Sequence, residues 1–273
     1  QPLAVQAGLD VLKRGGNAVD AALAAAITLT IVEPTSNGIG SDAFAIVWDG
    51  SELTGLNGSG RAPALWTPDY FSGRRSMPQF GWDSVTVPGA VSVWVALSKR
   101  YGKIDFQSVF ESGIRYADQG FQVGPVTARC WRQDAPLYAA EPAFRDHFFP
   151  VPEEHGQRVF RPDAAKTLRD IAMTGGASFY EGELAERIER AAIAGGGALR
   201  RTDLAEHNVD WVTPIPQSYR EMTLHEIPPN GQGLAAQIAL GILQQFDPPP
   251  VDSCDSVHLQ IEVMKIALNA AAQ

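Results

Sequence analysis

The stretch that most limits the fold is residues 17–32, which read NAVDAALAAAITLTIV. Asn17 is a favoured N-cap residue, and Asp20 lies in the first turn, where the helix dipole stabilises an anion. Apart from Asp20 and two threonines the segment is apolar on every side, so we expect a helix that is buried all round as a central layer. It is too short to span a bilayer, which takes about 20 residues. Glu33-Pro34 ends it.

A β-hairpin is predicted directly after this helix and its glycine-containing loop, TSNGIGSD. Large apolar residues alternate with smaller ones in AFAIVW, residues 43–48, and Asp49-Gly50 is the signal of a two-residue hairpin turn. The second strand runs straight into the loop GSGRAP at residues 58–63. Residues 17–63 therefore contain four features with no spacer between them: the buried helix, the glycine loop, the hairpin and the loop with Arg61.

The rest of the chain shows further amphipathic segments bounded by Pro and Gly, each of which predicts a helix. They lie at residues 2–14, 88–102, 105–120, 163–176, 183–197, 202–208 and 234–246. We expect residues 121–160, rich in Pro and aromatic residues, to be irregular, and residues 211–233 to form strands broken by prolines. No internal repeat or Pro/Gly/Ser-rich linker divides the sequence, so a single domain over residues 1–273 is predicted.

Charge and composition exclude several classes of function. The net charge of −9 and the lack of a basic stripe argue against nucleic acid as a partner. Cys130 and Cys254 are too few and too far apart for a disulfide framework or a metal knuckle. No segment reaches the roughly 18 apolar residues of a membrane span. The first residue is not Met and the last residues look like part of a helix, so we expect a piece of a longer polypeptide. The sequence therefore does not decide the compartment, and both a cytoplasmic and a periplasmic location stay open.

No cofactor or metal is expected from the motifs. Gly38-Ile39-Gly40 follows a helix and precedes a strand, the reverse of a dinucleotide-binding loop. Gly195-Gly196-Gly197 is most simply the end of a helix. The five histidines are scattered and none falls in a metal-binding spacing. The sequence also has no G-x-S-x-G elbow and no evident Ser-His-acid set, so local chemistry supplies no complete active site.

Six segments, taken together, make the whole chain resemble the large subunit of the γ-glutamyltransferase family. The first is PLAVQAGLDVLKRGGNAVDAALAAAITLTIVEPTSNGIGSDAFAIVWDG, and GLNGSGRAP and SVTVPGAV follow it. The others are TLRDIAMTGGASFYEGELAERIERA, GGGALRRTDLAEHNVDWVTPIPQSYR and IPPNGQGLAAQIALGIL. Each segment is moderately specific, and their common order is what carries the resemblance.

The resemblance implies an α+β fold of the N-terminal nucleophile hydrolase type, an αββα sandwich of which this chain is the large-subunit portion. Members of this family are zymogens that cleave themselves autocatalytically into a heterodimer, and some serve glutathione metabolism. The nucleophile is the new N-terminal threonine of the small subunit, whose free amino group takes the proton of its own hydroxyl. Gln1 has no hydroxyl, so the nucleophile is expected on that partner and not in this chain.

One departure from the family pattern concerns the substrate. Members that act on γ-glutamyl groups hold the α-carboxylate of the substrate with an arginine in an R-E-x-A-P run. When the run is aligned on Ala62-Pro63, Ser59 takes the place of that arginine and Arg61 follows two residues later. The resemblance therefore indicates an amide-bond hydrolase or acyltransferase with a carboxylate-bearing acyl donor. Arg61, Ser59 and Asn57 are its candidate substrate-binding residues.

Two alternatives stay open beside this interpretation. The GSGRAP-type loop also fits relatives that resemble oxamate amidohydrolases, or glutaryl or cephalosporin acylases, on the same fold. In a different class, the chain would be a non-catalytic homologue with a binding or assembly role. For Arg61 the competing structural interpretation is a salt bridge or hydrogen bonds that hold the loop. For Ser59 and Asn57 it is hydrogen bonding within the loop.

Overall fold

The structure is a computed structural model that describes residues 1–272. The helices are α1 Pro2–Lys13, α2 Ala18–Val32, α3 Ala90–Tyr101, α4 Glu111–Gln119, α5 Pro125–Tyr138, α6 Pro142–Phe148, α7 Pro162–Thr174, α8 Ala177–Tyr180, α9 Glu183–Ala194, α10 Arg201–Ala205, α11 Gly233–Leu243 and α12 Cys254–Ala271. The strands are β1 Phe44–Trp48, β2 Leu53–Asn57, β3 Phe121–Gln122, β4 Arg158–Val159, β5 Asp210–Val212, β6 Ile215–Tyr219 and β7 Met222–Glu226.

The chain divides into two compact units. The first unit comprises Gln1–Asp42 and Gly60–Asn208, and it contains α1 to α10 with β3 and β4. The second comprises Ala43–Ser59 and the chain from Val209 onward, with the remaining strands, α11 and α12. Each unit is therefore built from two separate stretches of sequence.

Helix α2 is the centre of the first unit, but it is not buried on every side as predicted, because Ala18 and Ala22 are exposed. The Asn17 side chain accepts a hydrogen bond from the Asp20 N–H at 3.0 Å, and the Asp20 carboxylate accepts one from the Asn17 N–H at 2.9 Å. Asp20 is fully buried and also accepts from the N–H of Lys103 at 3.1 Å. Helices α1, α3 and α4 pack around α2. The capping box thus ties the start of this helix to the end of α3.

The second unit contains a three-stranded antiparallel sheet in the order β1-β2-β5. Its register places Phe44 opposite Asn57, and Asn57 opposite Asp210. Strands β6 and β7 form a separate hairpin, on which α11 packs, and α12 packs on α11. Gly55 in β2 has no room for a side chain, because an added Cβ would lie 2.7 Å from Ile227 Cδ1.

Two local predictions are wrong. The turn between β1 and β2 has four residues, 49–52, and not two. It is longer because the Asp49 carboxylate accepts hydrogen bonds from the N–H groups of Ser51 and Glu52, at 2.8 and 2.9 Å. The region 121–160 is not irregular either, since it contains α5 and α6. Both helices have Pro in the first turn, where its missing N–H costs nothing.

The three consecutive glycines at 195–197 follow α9, as predicted, but packing explains them further. A Cβ on Gly195 or on Gly197 would lie 2.3 Å from an atom of Trp82, so both glycines are in close contact with this side chain. Gly196 has a φ of +75°, a conformation that favours glycine. Two of the three glycines therefore leave room for the Trp82 ring, and the middle one adopts a left-handed backbone conformation.

Candidate functional site

Two of the three candidate residues, Asn57 and Ser59, are joined by a third side chain that the sequence analysis did not single out. Asn57 ends β2, and its side-chain oxygen accepts a hydrogen bond from the Ser59 N–H at 2.8 Å. The Asn57 Nδ2 and the Ser59 hydroxyl both donate to Oδ1 of Asn230, each at 3.1 Å. Asn230 lies in the loop between β7 and α11. These three residues form one hydrogen-bonded cluster in the second unit.

The loop that precedes Arg61 is held through its backbone. The Gly60 N–H donates to the Asp42 carboxylate at 3.1 Å, and the Arg61 carbonyl accepts from the Val87 N–H at 3.1 Å. A Cβ on Gly60 would lie only 1.7 Å from the Val87 carbonyl oxygen. Gly60 is therefore required by the close approach of two backbone segments. Arg61 belongs to the first unit, and its side chain is exposed.

The glycine loop at residues 38–42 positions Asp42 for this contact. The Gly38 N–H donates to the Ser41 hydroxyl at 2.9 Å, which closes the loop on itself. The Ser41 carbonyl accepts from the N–H of Ala90 at 2.8 Å, which ties the loop to the start of α3. The glycines therefore serve loop geometry here. The sequence analysis singled out neither Asp42 nor Asn230. The only local signals are glycines beside them, in GSD at residues 40–42 and in PPNG at residues 228–231.

The contacts of Gln1 and of one Ser–His pair bear on whether this chain holds a nucleophile of its own. The Gln1 side chain caps α1 by accepting from the Ala4 N–H at 3.0 Å. Ser92 Oγ lies 3.0 Å from His207 Nε2, but the same hydroxyl donates to the Gly89 carbonyl at 2.6 Å. With its proton directed to the Gly89 carbonyl, the Ser92 hydroxyl does not offer that proton to His207. This Ser–His pair is structural.

The described residues show neither a metal cluster nor a helix suited to a membrane. Residues 1–272 contain no cluster of three or more His, Cys, Asp or Glu side chains arranged to hold a metal ion. Within the same residues, no helix combines the length and the hydropathy that crossing a membrane requires.

Comparison with known proteins identifies the scaffold. Residues 4–273 match the sequence family described as Gamma-glutamyltranspeptidase. The chain is 34% identical over 273 residues to a glutathione hydrolase-like proenzyme of Bacillus subtilis, covering 96% of this chain and 51% of that protein. It is 31% identical over 274 residues to the oxamate amidohydrolase proenzyme of Klebsiella pneumoniae, covering 97% of this chain and 52% of that protein.

A solved structure gives the same answer for the fold. The crystal structure of cephalosporin acylase from Bacillus halodurans superimposes with a TM-score of 0.93 at 45% identity, over 98% of this chain and 52% of that one. The predicted α+β fold of the N-terminal nucleophile hydrolases, large-subunit portion, is confirmed. The chain spans about half the length of the relatives it matches. With nearly the whole sequence matched, this chain belongs to the γ-glutamyltranspeptidase family.

Proposed function

We propose that this chain is the non-nucleophile part of an amide-bond hydrolase or acyltransferase, which acts through the N-terminal threonine of a small subunit cut from the same precursor. The matched relatives are proenzymes, and this chain corresponds to about half of each. The observation that carries the proposal is the loop at residues 57–61. In the sequence, Asn57, Ser59 and the exposed Arg61 occupy the segment where the family pattern has its carboxylate-binding arginine.

The proposed reaction is acyl transfer in two steps. The threonine hydroxyl attacks the carbonyl carbon of the amide while the threonine amino group takes the hydroxyl proton. The C–N bond breaks, and the leaving amine departs with that proton. Water or a second amine then attacks the threonine ester and releases the acyl group. This chain contributes the recognition of the acyl group and not the bond-breaking groups.

In the proposed site, Arg61 binds a carboxylate of the acyl group, and Ser59 and Asn57 contact the same group. A guanidinium pairs with a carboxylate through two parallel hydrogen bonds, which gives direction as well as strength. Asn57 keeps a second amide hydrogen and Ser59 keeps lone pairs for a ligand while both are bonded to Asn230. Asn230 thereby fixes the position of both side chains before substrate arrives.

The test is Arg61→Ala in the complete, processed enzyme, assayed on two substrates that differ only in an acyl carboxylate or its neutral amide isostere. We expect kcat/KM to fall at least about tenfold for the charged substrate and little for the neutral one. Arg75→Ala, at another exposed arginine, is the matched control and should change neither value. Equal losses on both substrates, with a lower melting temperature, would mean that Arg61 only braces the loop.

A second candidate is an acylase or oxamate-type amidohydrolase whose acyl group is not γ-glutamyl. The 45% identity to a cephalosporin acylase favours it, as does Ser59 in the place of the family arginine. A panel of glutathione, γ-glutamyl anilide, glutaryl amides and oxamate separates the candidates. Glutathione as the best substrate by a wide margin would contradict the argument from Ser59. A processed protein that turns over none of them would favour the non-catalytic homologue.

A further inference from the structure

Arg161 lies in the first unit, immediately before α7, against a stack of aromatic rings. Its guanidinium carbon lies 4.2 Å from the centre of the Phe148 ring. Phe148 is stacked on Phe144, with ring centres 4.8 Å apart, and meets the Trp131 ring edge to face at 6.0 Å. The guanidinium therefore packs over an aromatic wall, and a guanidinium packed in this way can still pair with an anion through its N–H groups.

No carboxylate of the described chain forms a direct ion pair with Arg161. None of the ion pairs in residues 1–272 includes it, whereas four other arginines pair with carboxylates: Arg14, Arg74, Arg169 and Arg201. Burial lowers the pKa of Arg161 to about 10, because the guanidinium has lost part of its hydration. A partly desolvated cation is costly unless an anion accompanies it.

This guanidinium lines a cavity of about 400 Å³, a volume in the range of small-molecule sites. Its walls combine apolar side chains, Ile39, Phe148, Phe149 and Phe160, with polar and charged ones in similar proportion. Arg187 of α9 supplies a second cation. The cavity shares Ile39, Thr167 and Arg187 with a larger, mainly apolar cavity of about 900 Å³. A ligand with an apolar body therefore has room to extend.

Two acidic side chains also line the smaller cavity, and they limit what can bind. The Asp163 carboxylate is mostly exposed and lies 3.2 Å from Nδ1 of His147, so it already has a partner. Asp146 is exposed to solvent. These groups disfavour a multiply charged anion more than a single carboxylate, because each added negative charge raises the repulsion.

We propose that Arg161 and Arg187 form the anion-binding end of a site for a small monocarboxylate with a flat apolar body, such as an aromatic acid. The carboxylate pairs with the N–H groups of the Arg161 guanidinium, and the ring packs against Phe149, Phe160 and Ile39. The proposal does not depend on the reaction that the complete enzyme catalyses.

The test is calorimetric titration of the complete, processed protein with phenylacetate, with its neutral isostere phenylacetamide, and with inorganic phosphate. We expect saturable binding of phenylacetate, and weaker binding of the other two by at least about tenfold, since each lacks either the charge or the ring. Arg161→Gln should weaken phenylacetate binding by at least about tenfold, and Arg187→Gln by a smaller factor. Arg75→Gln, at an arginine that lines none of these cavities, is the matched control.

Several results would overturn the proposal. These are no binding of phenylacetate at millimolar concentration, equal affinity for the amide or the phosphate, and an unchanged affinity in Arg161→Gln. If Arg161→Gln fails to fold, the conservative Arg161→Lys, which keeps the charge and loses the planar fork, takes its place with the same expectation of weaker binding. Loss of binding in Arg61→Ala, with no loss in the Arg161 variant, would place the ligand at the acyl site instead.

Discussion

Tyr180 shows how a single side chain can replace a helix cap. No side chain caps the start of α3 from within its own segment. The Tyr180 hydroxyl accepts a hydrogen bond from the Ser92 N–H at 3.0 Å, in the first turn of α3, and donates to the Pro88 carbonyl at 2.9 Å. It thus satisfies two backbone groups next to α3 that would otherwise be buried without partners.

We predict that Tyr180→Phe lowers the free energy of unfolding by about 1–3 kcal/mol near neutral pH, since both backbone groups lose their partner. Burial raises the pKa of Tyr180 to about 12 from 10.0. Between pH 10 and 12 the unfolded chain therefore ionises this tyrosine while the folded chain does not. The contribution of Tyr180 is complete below pH 10 and falls as pH rises through this window. Urea titrations of both proteins at pH 8 and pH 11 measure the difference, and a gap that stays constant would contradict the assignment.

Only part of the candidate site can be predicted from residues that are neighbours in the sequence. The sequence identifies Arg61, Ser59 and Asn57 through their resemblance to a family motif, and the hydrogen bonding within residues 57–59 follows from local turn chemistry. The partner of Asn57 is Asn230, 173 residues later. No local pattern encodes such a contact, because it is made only when the loops of the second unit come together.

Among the elements, those with a local physical cause were predictable. Helix α2 is recognisable from its cap and its apolar run, and strands β1 and β2 from their alternation. Helices α5 and α6 were missed because prolines look like helix breakers. Pro125 and Pro142 lie in first turns, where they are tolerated, whereas Pro136 lies inside α5.

The loop at residues 58–63 is the element whose conformation is most open to a simple test. We predict that Gly60→Ala destabilises the protein by about 1–3 kcal/mol, since the new methyl would meet the Val87 backbone and force the two segments apart. Gly124→Ala is the matched control, because an added Cβ there has no atom within 4 Å and its φ is −72°. The measurement compares the melting temperatures of the Gly60→Ala and Gly124→Ala variants, each made in the complete protein. Similar melting temperatures for the two would show that the loop moves freely away from Val87.

At the scale of the whole molecule, the second unit leaves much apolar surface uncovered. On β1, Phe44, Ile46 and Trp48 are exposed by 47%, 40% and 62%. On α12, Ile261 and Ile266 are exposed by 55% and 56%. Monomeric proteins rarely present such continuous apolar patches to water, and a strand with a free edge invites pairing. The matched relatives are about twice as long as the stretch they share with this chain.

We therefore predict that residues 1–273 expressed alone self-associate and hydrolyse no amide, whereas the complete precursor gives a soluble, active protein. The physical reason is the exposed face of β1, together with the lack of a nucleophile in the site described here. Analytical ultracentrifugation and an amide-hydrolysis assay on both proteins provide the measurement. As a matched control, Ile46→Thr with Trp48→Ser should reduce the association of the isolated chain, because it removes apolar area without touching the loop at 57–61. A monomeric, soluble chain that turns over substrate by itself would overturn the assignment of the nucleophile to a separate subunit.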